Sequence, residues 1–367
     1  DPNYYRDPKT GKLNGIIAET AVFTIGSLVK LPPTCKLASL CRDTLNTWAS
    51  KGCTTIFDAG IGSVRLKQDE NILASVTSVP IPVRFYGALA IQIAVTTALP
   101  PITLGKVKVQ TIKYWGDGST QGITAALSSP YLNRGDEKGQ PSYPSDDALY
   151  KAMEPLFRNG WHLMIHANGD AAIGQALRVY KSLFEAFPQK DKSIVHRIEH
   201  FTVTENDDLI KTAAELGIGI SHTILHVFYW GHTFDKWVLG PPRAQRIDPV
   251  REEVEAGALV SFHSDSPVSE VNPLLYVRTA VTRLMFGRDD EEPLGKDQCV
   301  DLLQALRGVT INPAKQIKMD QDIGTLKKGK FADFVILDRD PRSTPGPELD
   351  KINVVQTWMG GKRVWPA

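Results

Sequence analysis

An α/β chain folded as an eight-stranded β/α barrel, with a small β domain after it, is what this 367-residue sequence predicts. Three observations lead there. Helical patterns and short apolar strand patterns alternate from about residue 37 onward, the mark of parallel strands joined by crossover helices. Seven such strands can be read, at 54–59, 82–89, 108–115, 162–167, 195–200, 218–224 and 258–264. None carries the glycine-rich fingerprint of a dinucleotide-binding sheet. A closed (β/α)8 barrel of TIM type therefore fits best, with one strand unaccounted for.

Each element has a local cause. Leu37, Cys41, Leu45 and Trp48 fall at helical spacing, and Gly52 punctuates before the strand in "CTTIFDAG". Ser145-Asp146 caps a helix with Leu149, Met153, Leu156 and Phe157 on one face, and Gly160 ends it. "WHLMIHANGDAAI" (161–173) then gives an apolar strand, a histidine at its lip and a turn. Asp170 is the expected N-cap of a helix carrying Ile173, Leu177, Tyr180, Phe184 and Phe187. "VHRIEH" (195–200) is the next strand, followed by a helix from about Glu205 to Leu216 that Gly217 stops. "IGISHTI" (218–224) is another strand. Asp248-Pro249 reads as an N-cap and first-turn pair for a helix that ends at Gly257, before "ALVSFHSD" (258–265). The tail differs: "GTLKKGKFADFVILD" and "VVQTWMGGKRVW" read as hairpin strands with Lys-Gly-Lys and Gly-Gly turns. The expected division is a barrel over residues 1–318 and a small β domain over 319–367.

Composition narrows the function. Apolar residues make up 42% and charged residues 23%, ordinary values for a globular chain. A net charge of +1 argues against nucleic acid or an anionic membrane surface as the main partner. No apolar run of about 18 residues marks a membrane-spanning helix, and no signal-peptide pattern opens the chain. Cys35, Cys41, Cys53 and Cys299 form no C-x-x-C pair and read as free thiols of a reducing, cytoplasmic compartment. The chain opens on Asp1 in a turn-rich stretch, so a longer natural gene product is expected.

In a β/α barrel the C-terminal strand ends converge on one pocket. Four strands end there in residues able to bind a metal or move a proton: Lys113 in "TIKYWGDGS", His166 in "LMIHANGD", His200 in "HRIEH" and Asp265 in "FHSDSP". Imidazole and carboxylate form the ligand set of Zn2+ and similar ions. Taken singly, each has a plainer reading: core histidine, turn aspartate, snorkelling lysine. Their joint placement on successive strands points to a site. His196 shares a face with Ile198 and His200 under strand alternation and is assigned a supporting or structural role. His226 and Trp230 follow the 218–224 strand where substrate would approach, as Asp117, Ser119 and Gln121 follow the 108–115 strand. Loop packing is the alternative for each. Aromatic residues in these loops, Trp115, Tyr229 and Trp237 among them, suggest room for an apolar or aromatic group.

The stretches "IKYWGDGSTQGITAAL", "MIHANGDAAI", "HRIEH", "HSDSPV" and "IGTLKKGKFADFVILDRDP" resemble the amidohydrolase superfamily. The match lies in the branch of metal-dependent hydrolases that includes N-substituted formamide deformylases, and it covers most of the chain from about residue 50. It implies hydrolysis of a C–N bond in an amide, formamide or related small molecule. It implies one or two divalent ions, zinc among them, with Lys113 carbamylated and bridging and with His166 and His200 on the second ion. Asp265 corresponds to a ligand of the first ion and to the general base. A metal-activated water would attack the carbonyl, and Asp265 would pass its proton to the leaving nitrogen. His226, Trp230, Asp117 and Gln121 are the candidate substrate contacts.

The family's barrel begins with a strand ending in His-x-His. None of the histidines at 162, 166, 196, 200, 222, 226, 232 and 263 forms that pair. The expected architecture is therefore a (β/α)8 barrel lacking its first strand, plus the C-terminal strands of a small β-sandwich. Two exposed sheet edges follow, and with them a homo-oligomer or a missing N-terminal segment that fills the gap. Two other functions fit the same residues: a non-catalytic relative serving as a binding or assembly scaffold, and a metal-independent enzyme using Lys113 as a Schiff-base amine.

Overall fold

The chain begins with an antiparallel hairpin, β1 (Tyr4–Arg6) and β2 (Leu13–Ile17), and a parallel sheet then carries most of the structure. Its strands, in chain order, are β3 (Thr55–Ile61), β4 (Arg84–Ala90), β6 (Val107–Trp115), β7 (His162–Ala167), β8 (Arg197–His200), β9 (Gly219–His222) and β10 (Leu259–Phe262). This computed structural model describes residues 4–17, 20–26, 28–30, 32–63, 66–78, 80–91, 102–104, 107–188, 191–205, 207–288 and 292–366. All seven expected strand regions hold strands, each paired with its neighbour in sequence. Among the described residues nothing joins β3 to β10, so the barrel is open between them. No described helix is long and apolar enough to cross a membrane.

One strand was not expected. β5 (Ile102–Leu104) pairs antiparallel with the start of β6, Ile102 opposite Val109. The reason is length: β7 meets β6 only from Thr111 onward, which leaves the first residues of β6 with an open side. That side takes β5.

The core lies between the sheet and its covering helices. The helix Asp146–Arg158 starts where Ser145 Oγ accepts the Ala148 N–H at 3.2 Å, and it buries Leu149, Met153, Leu156 and Phe157. Leu163 and Ile165 of β7 belong to the same core, with Ile173, Leu177 and Leu183 of the helix Asp170–Ala186 on its other side. Burying one such side chain stabilises by roughly 1.5–3 kcal/mol. Tyr180 ties that helix to the sheet, its hydroxyl 3.1 Å from the carbonyls of both Leu163 and Arg197.

Three local expectations fail for physical reasons. Asp170 is the first residue of its helix rather than its cap, because its carboxylate turns to the Ser128 backbone N–H and hydroxyl. Asp248 caps nothing either, since His222 takes its carboxylate. Lys328-Gly329-Lys330 turns no hairpin: Lys330 Nζ reaches back to the Ile323 carbonyl at 3.1 Å, and no strand precedes it. The other tail turn behaves as expected. Gly360 and Gly361, at φ +58° and +75°, join β12 (Val354–Met359) to β13 (Lys362–Trp365), and β11 (Phe334–Leu337) completes a three-stranded antiparallel sheet. Thr357 on β12 donates to the Ala49 carbonyl at 2.7 Å, fastening this sheet to the helix Thr34–Ser50.

Candidate active site

Strand register decides which side chains share the barrel interior. Lys113 pairs with Met164, and Met164 with Arg197. One layer nearer the C-terminal ends, Trp115 aligns with His166, His166 with Glu199, and Glu199 with Ser221. A period of two therefore sends Lys113, His166, Arg197 and Glu199 to one face. That face is the interior: the Arg197 guanidinium lies 4.7 Å from the ring of Phe57, on β3.

Alternation alone would send His200 the other way. Its φ of +76° breaks the alternation at the strand end and brings its ring to 4.5 Å from that of His166, edge-on. His196 stays outside, packed against Phe157, Tyr180 and Phe184, with Nδ1 accepting the Leu163 N–H at 3.1 Å. The shared face expected of His196 and His200 thus ends at Glu199. Burial holds the His196 imidazole down at about 3, hence neutral. Asp265, just past β10, also has a left-handed backbone, at φ +53°, and its carboxylate is exposed at the rim. Such non-glycine conformations cost roughly 1–3 kcal/mol each and collect at functional sites.

Hydrogen bonds orient the two strand-end imidazoles. His166 Nε2 is 2.8 Å from the Gly118 carbonyl, which can only accept, so Nε2 carries a hydrogen and Nδ1 is the nitrogen without a hydrogen-bond partner among the described residues. His200 Nδ1 is 2.9 Å from Thr223 Oγ1, leaving Nε2 as its open nitrogen. The same hydroxyl meets His263 Nε2 at 2.8 Å, and His263 Nδ1 meets Ser221 Oγ at 2.8 Å. Burial, reinforced by the neighbouring His166, His263 and Lys113, holds His200 well below the usual histidine range. Burial likewise brings His263 to about 3, against the opposing charge of Asp265. Lys113 is pushed down by burial too, opposed by the carboxylates of Glu199 and Asp265.

This donor chemistry fits a divalent ion as an open ligand set: two imidazoles, each with one nitrogen hydrogen-bonded within the protein and the other without a hydrogen-bond partner among the described residues, beside a buried amine. Among the described residues no three His, Cys, Asp or Glu side chains gather tightly enough to hold an ion by themselves.

The candidate substrate residues divide. His226 is buried beside His200, at 5.9 Å between ring centroids, and rests edge-on against Trp230 at 5.8 Å. Trp230, Tyr229 and Trp48 line a cleft of about 720 Å3 that continues to Ser266 and Pro267, beside Asp265. Asp117 instead accepts three backbone N–H groups, of Asn168 at 3.0 Å, Ala126 at 2.9 Å and Gly169 at 2.8 Å. Gln121 is half-buried, and its Oε1 has no partner among the described residues.

Several contributors escaped the sequence reading. Glu199 sits inside "HRIEH", and His263 precedes Asp265 by two, both just past the end of β10. Thr202, Thr223 and Asn168 gave no signal at all. Nor did the clamp on His222, whose Nδ1 lies 3.3 Å from Asp248 and whose Nε2 lies 2.6 Å from Glu253, all fully buried. Burial opposes the His222 charge, but the Glu253 carboxylate and the Asp248 hydrogen bond overcome it and raise the imidazole to about 10.

Known proteins resemble this chain in sequence and in fold. One relative is the N-substituted formamide deformylase of Arthrobacter pascens, 33% identical over 203 residues, which is 55% of this chain and 36% of that protein. Another is the protein LONG AFTER FAR-RED 3 of Arabidopsis thaliana, 28% identical over 256 residues, 70% of this chain and 42% of that one. The chain spans less than half the length of the curated relatives it matches. An uncharacterized metal-dependent hydrolase from Pyrococcus horikoshii shares the fold, with a TM-score of 0.75 over 94% of this chain and 68% of that one, at 22% identity. The amidohydrolase family pattern matches residues 2–365, and by it the chain belongs to the amidohydrolase family.

Proposed function

We propose that the site hydrolyses a C–N bond of an amide, formamide or related small molecule, with one or two divalent ions held at the C-terminal ends of the strands. The observation that carries this reading is the pair of oriented imidazoles, His166 Nδ1 and His200 Nε2, left open beside the buried amine of Lys113. Lys113 has the environment that carbamylation needs, since burial favours the neutral amine that adds to carbon dioxide. A bound ion would supply Lewis-acid activation of the carbonyl and of the attacking water. Asp265, at the rim, is the base that takes the water's proton and returns it to the leaving nitrogen. Remaining ligands would come from a first barrel strand lying between β10 and β3. The names of the relatives support the bond class: one is a formamide deformylase, another a metal-dependent hydrolase.

The zinc-loaded chain, given N-formyl and N-acyl amines, should release amine. Asp265→Asn should lower that rate by about 10²–10⁴-fold, the usual worth of a general base. Zinc binding without amine release from any member of such a panel would favour the scaffold reading instead. The absence of a three-residue ligand group among the described residues is the observation on that side.

A further inference from the structure

The strands that bring the candidate site together at one end of the barrel hold a second, charged cavity at the other. It measures about 360 Å3, and Lys108, Gln110, His162, Asp191, Lys318 and Asp322 supply its polar walls. Lys108 lies near the start of β6, and His162 opens β7, four residues before His166. At about 3.3 Å per residue the two histidines stand roughly 13 Å apart on one strand face. The loop after the helix Ile311–Gln316 closes this end of the barrel, where Met319 and Ile323 pack with Phe57 of β3 and Tyr86 of β4. The hydrolase reading uses nothing here.

Charge in the cavity is arranged as one closed pair and two open groups. Lys318 Nζ is bound to the Asp191 carboxylate. Lys108 and Asp322 make no ion pair or side-chain hydrogen bond among the described residues. Arg84 lies within electrostatic reach of Asp322, but its Nε and Nη2 are taken by Asp333, at 2.7 and 3.0 Å. The Asp322 backbone is fixed, its N–H donating to the Met319 carbonyl at 3.0 Å and its carbonyl accepting the Phe331 N–H at 2.8 Å. His162 is only 4% exposed, and its buried Nδ1 has no hydrogen-bond partner among the described residues. Buried polar groups are nearly always hydrogen-bonded, so such a ring at a cavity wall points to a ligand that supplies the partner. Burial, reinforced by the charge of Lys318, holds this imidazole down at about 4, so it adds a polar contact without adding charge.

We propose that this cavity binds a small zwitterion of the α-amino-acid class, its carboxylate on Lys108, its ammonium on Asp322 and the His162 ring as a third, uncharged contact. One such molecule pairs both open charges. A simple anion would leave Asp322 unpaired and repelling it, and a simple cation would do the same at Lys108. The lining charges cancel, two lysines against two aspartates, so the cavity as a whole attracts neither sign of ion. Its volume lies at the small end of ligand pockets, as a compact solute requires.

The test is histidine-ring NMR of the full chain, titrated with L-alanine and with its two halves, propionate and ethylamine. The His162 resonance is identified by its loss in His162→Gln. L-alanine should move that resonance, and each half should bind about 10-fold or more weakly, because one charge-assisted contact is missing. Lys108→Met and Asp322→Asn, at an exposed and a half-buried position, should each weaken L-alanine binding by a similar factor. Propionate as effective as L-alanine would reduce the cavity to a plain anion site and overturn the inference. So would ethylamine binding as well as L-alanine, a His162 resonance indifferent to L-alanine, or an affinity unchanged in both charge variants. Amide hydrolysis enters none of these measurements, so the hydrolase reading can fail with this inference intact, and the reverse.

Discussion

At the scale of single residues, the buried clamp on His222 has the clearest consequence. An imidazolium between two carboxylates in a dry interior is stable only as a set, and deleting one member of such a set costs about 3–5 kcal/mol. The folded value near 10 for His222 lies above the unfolded value of about 6.5, so the folded chain retains a proton that the unfolded chain gives up. Its contribution is complete below about pH 6.5 and is lost as pH rises through 10. Asp248 behaves oppositely. With a folded value of about 2 its contribution is complete above about pH 3.9 and is lost as pH falls through 2. Urea unfolding should therefore show stability declining from pH 7 to pH 10, and His222→Gln should be less stable at pH 7 by about 3–5 kcal/mol with much of that decline removed. An unchanged pH slope in the variant would mean that His222 is neutral in the folded chain.

At the scale of elements, the site depends on how strands end. His166 and Lys113 reach the interior by alternation, and both were legible in the sequence because a period of two is visible in it. His200 was legible as a candidate at the strand end but not in its direction, because the sign of φ at a histidine leaves no trace in hydrophobic periodicity. The helix Asp146–Arg158 was legible down to its serine cap. Asp170 and Asp248 misled for one reason: a carboxylate at a helix start reads as a cap, and only tertiary contacts show that Ser128 and His222 take it. The close approach of β6 to β7 supplies a test at this scale. Gly116 N donates to the His166 carbonyl at 2.7 Å, and a Cβ at Gly116 would lie 2.7 Å from that same oxygen. Gly116→Ala should force the two strand ends apart, destabilise the chain by about 1–3 kcal/mol and weaken zinc binding through His166. Urea unfolding and zinc titration check both effects. An alanine variant with unaltered stability and affinity would show that this junction yields freely.

At the scale of the whole molecule, the parallel sheet is open between β3 and β10 among the described residues, and its strand order was readable before any coordinates because each strand follows its own helix. What the sequence could not show was how the open barrel meets its surroundings, since an unpaired edge and a paired one can have the same residues. Leu13, Ile16 and Leu28 are each more than half exposed near the start of the chain, so apolar surface joins the two bare edges as a reason to associate. Sedimentation velocity should find species heavier than the 40.5 kDa chain, growing with concentration; a single monomeric boundary at all concentrations would contradict that expectation. Whether His166 and His200 present open nitrogens to one divalent ion is decided by elemental analysis of the zinc-loaded chain. About one equivalent of zinc or more per chain is expected, lost in the His166→Ala/His200→Ala double variant. Equal zinc in both proteins, or none in either, would contradict it.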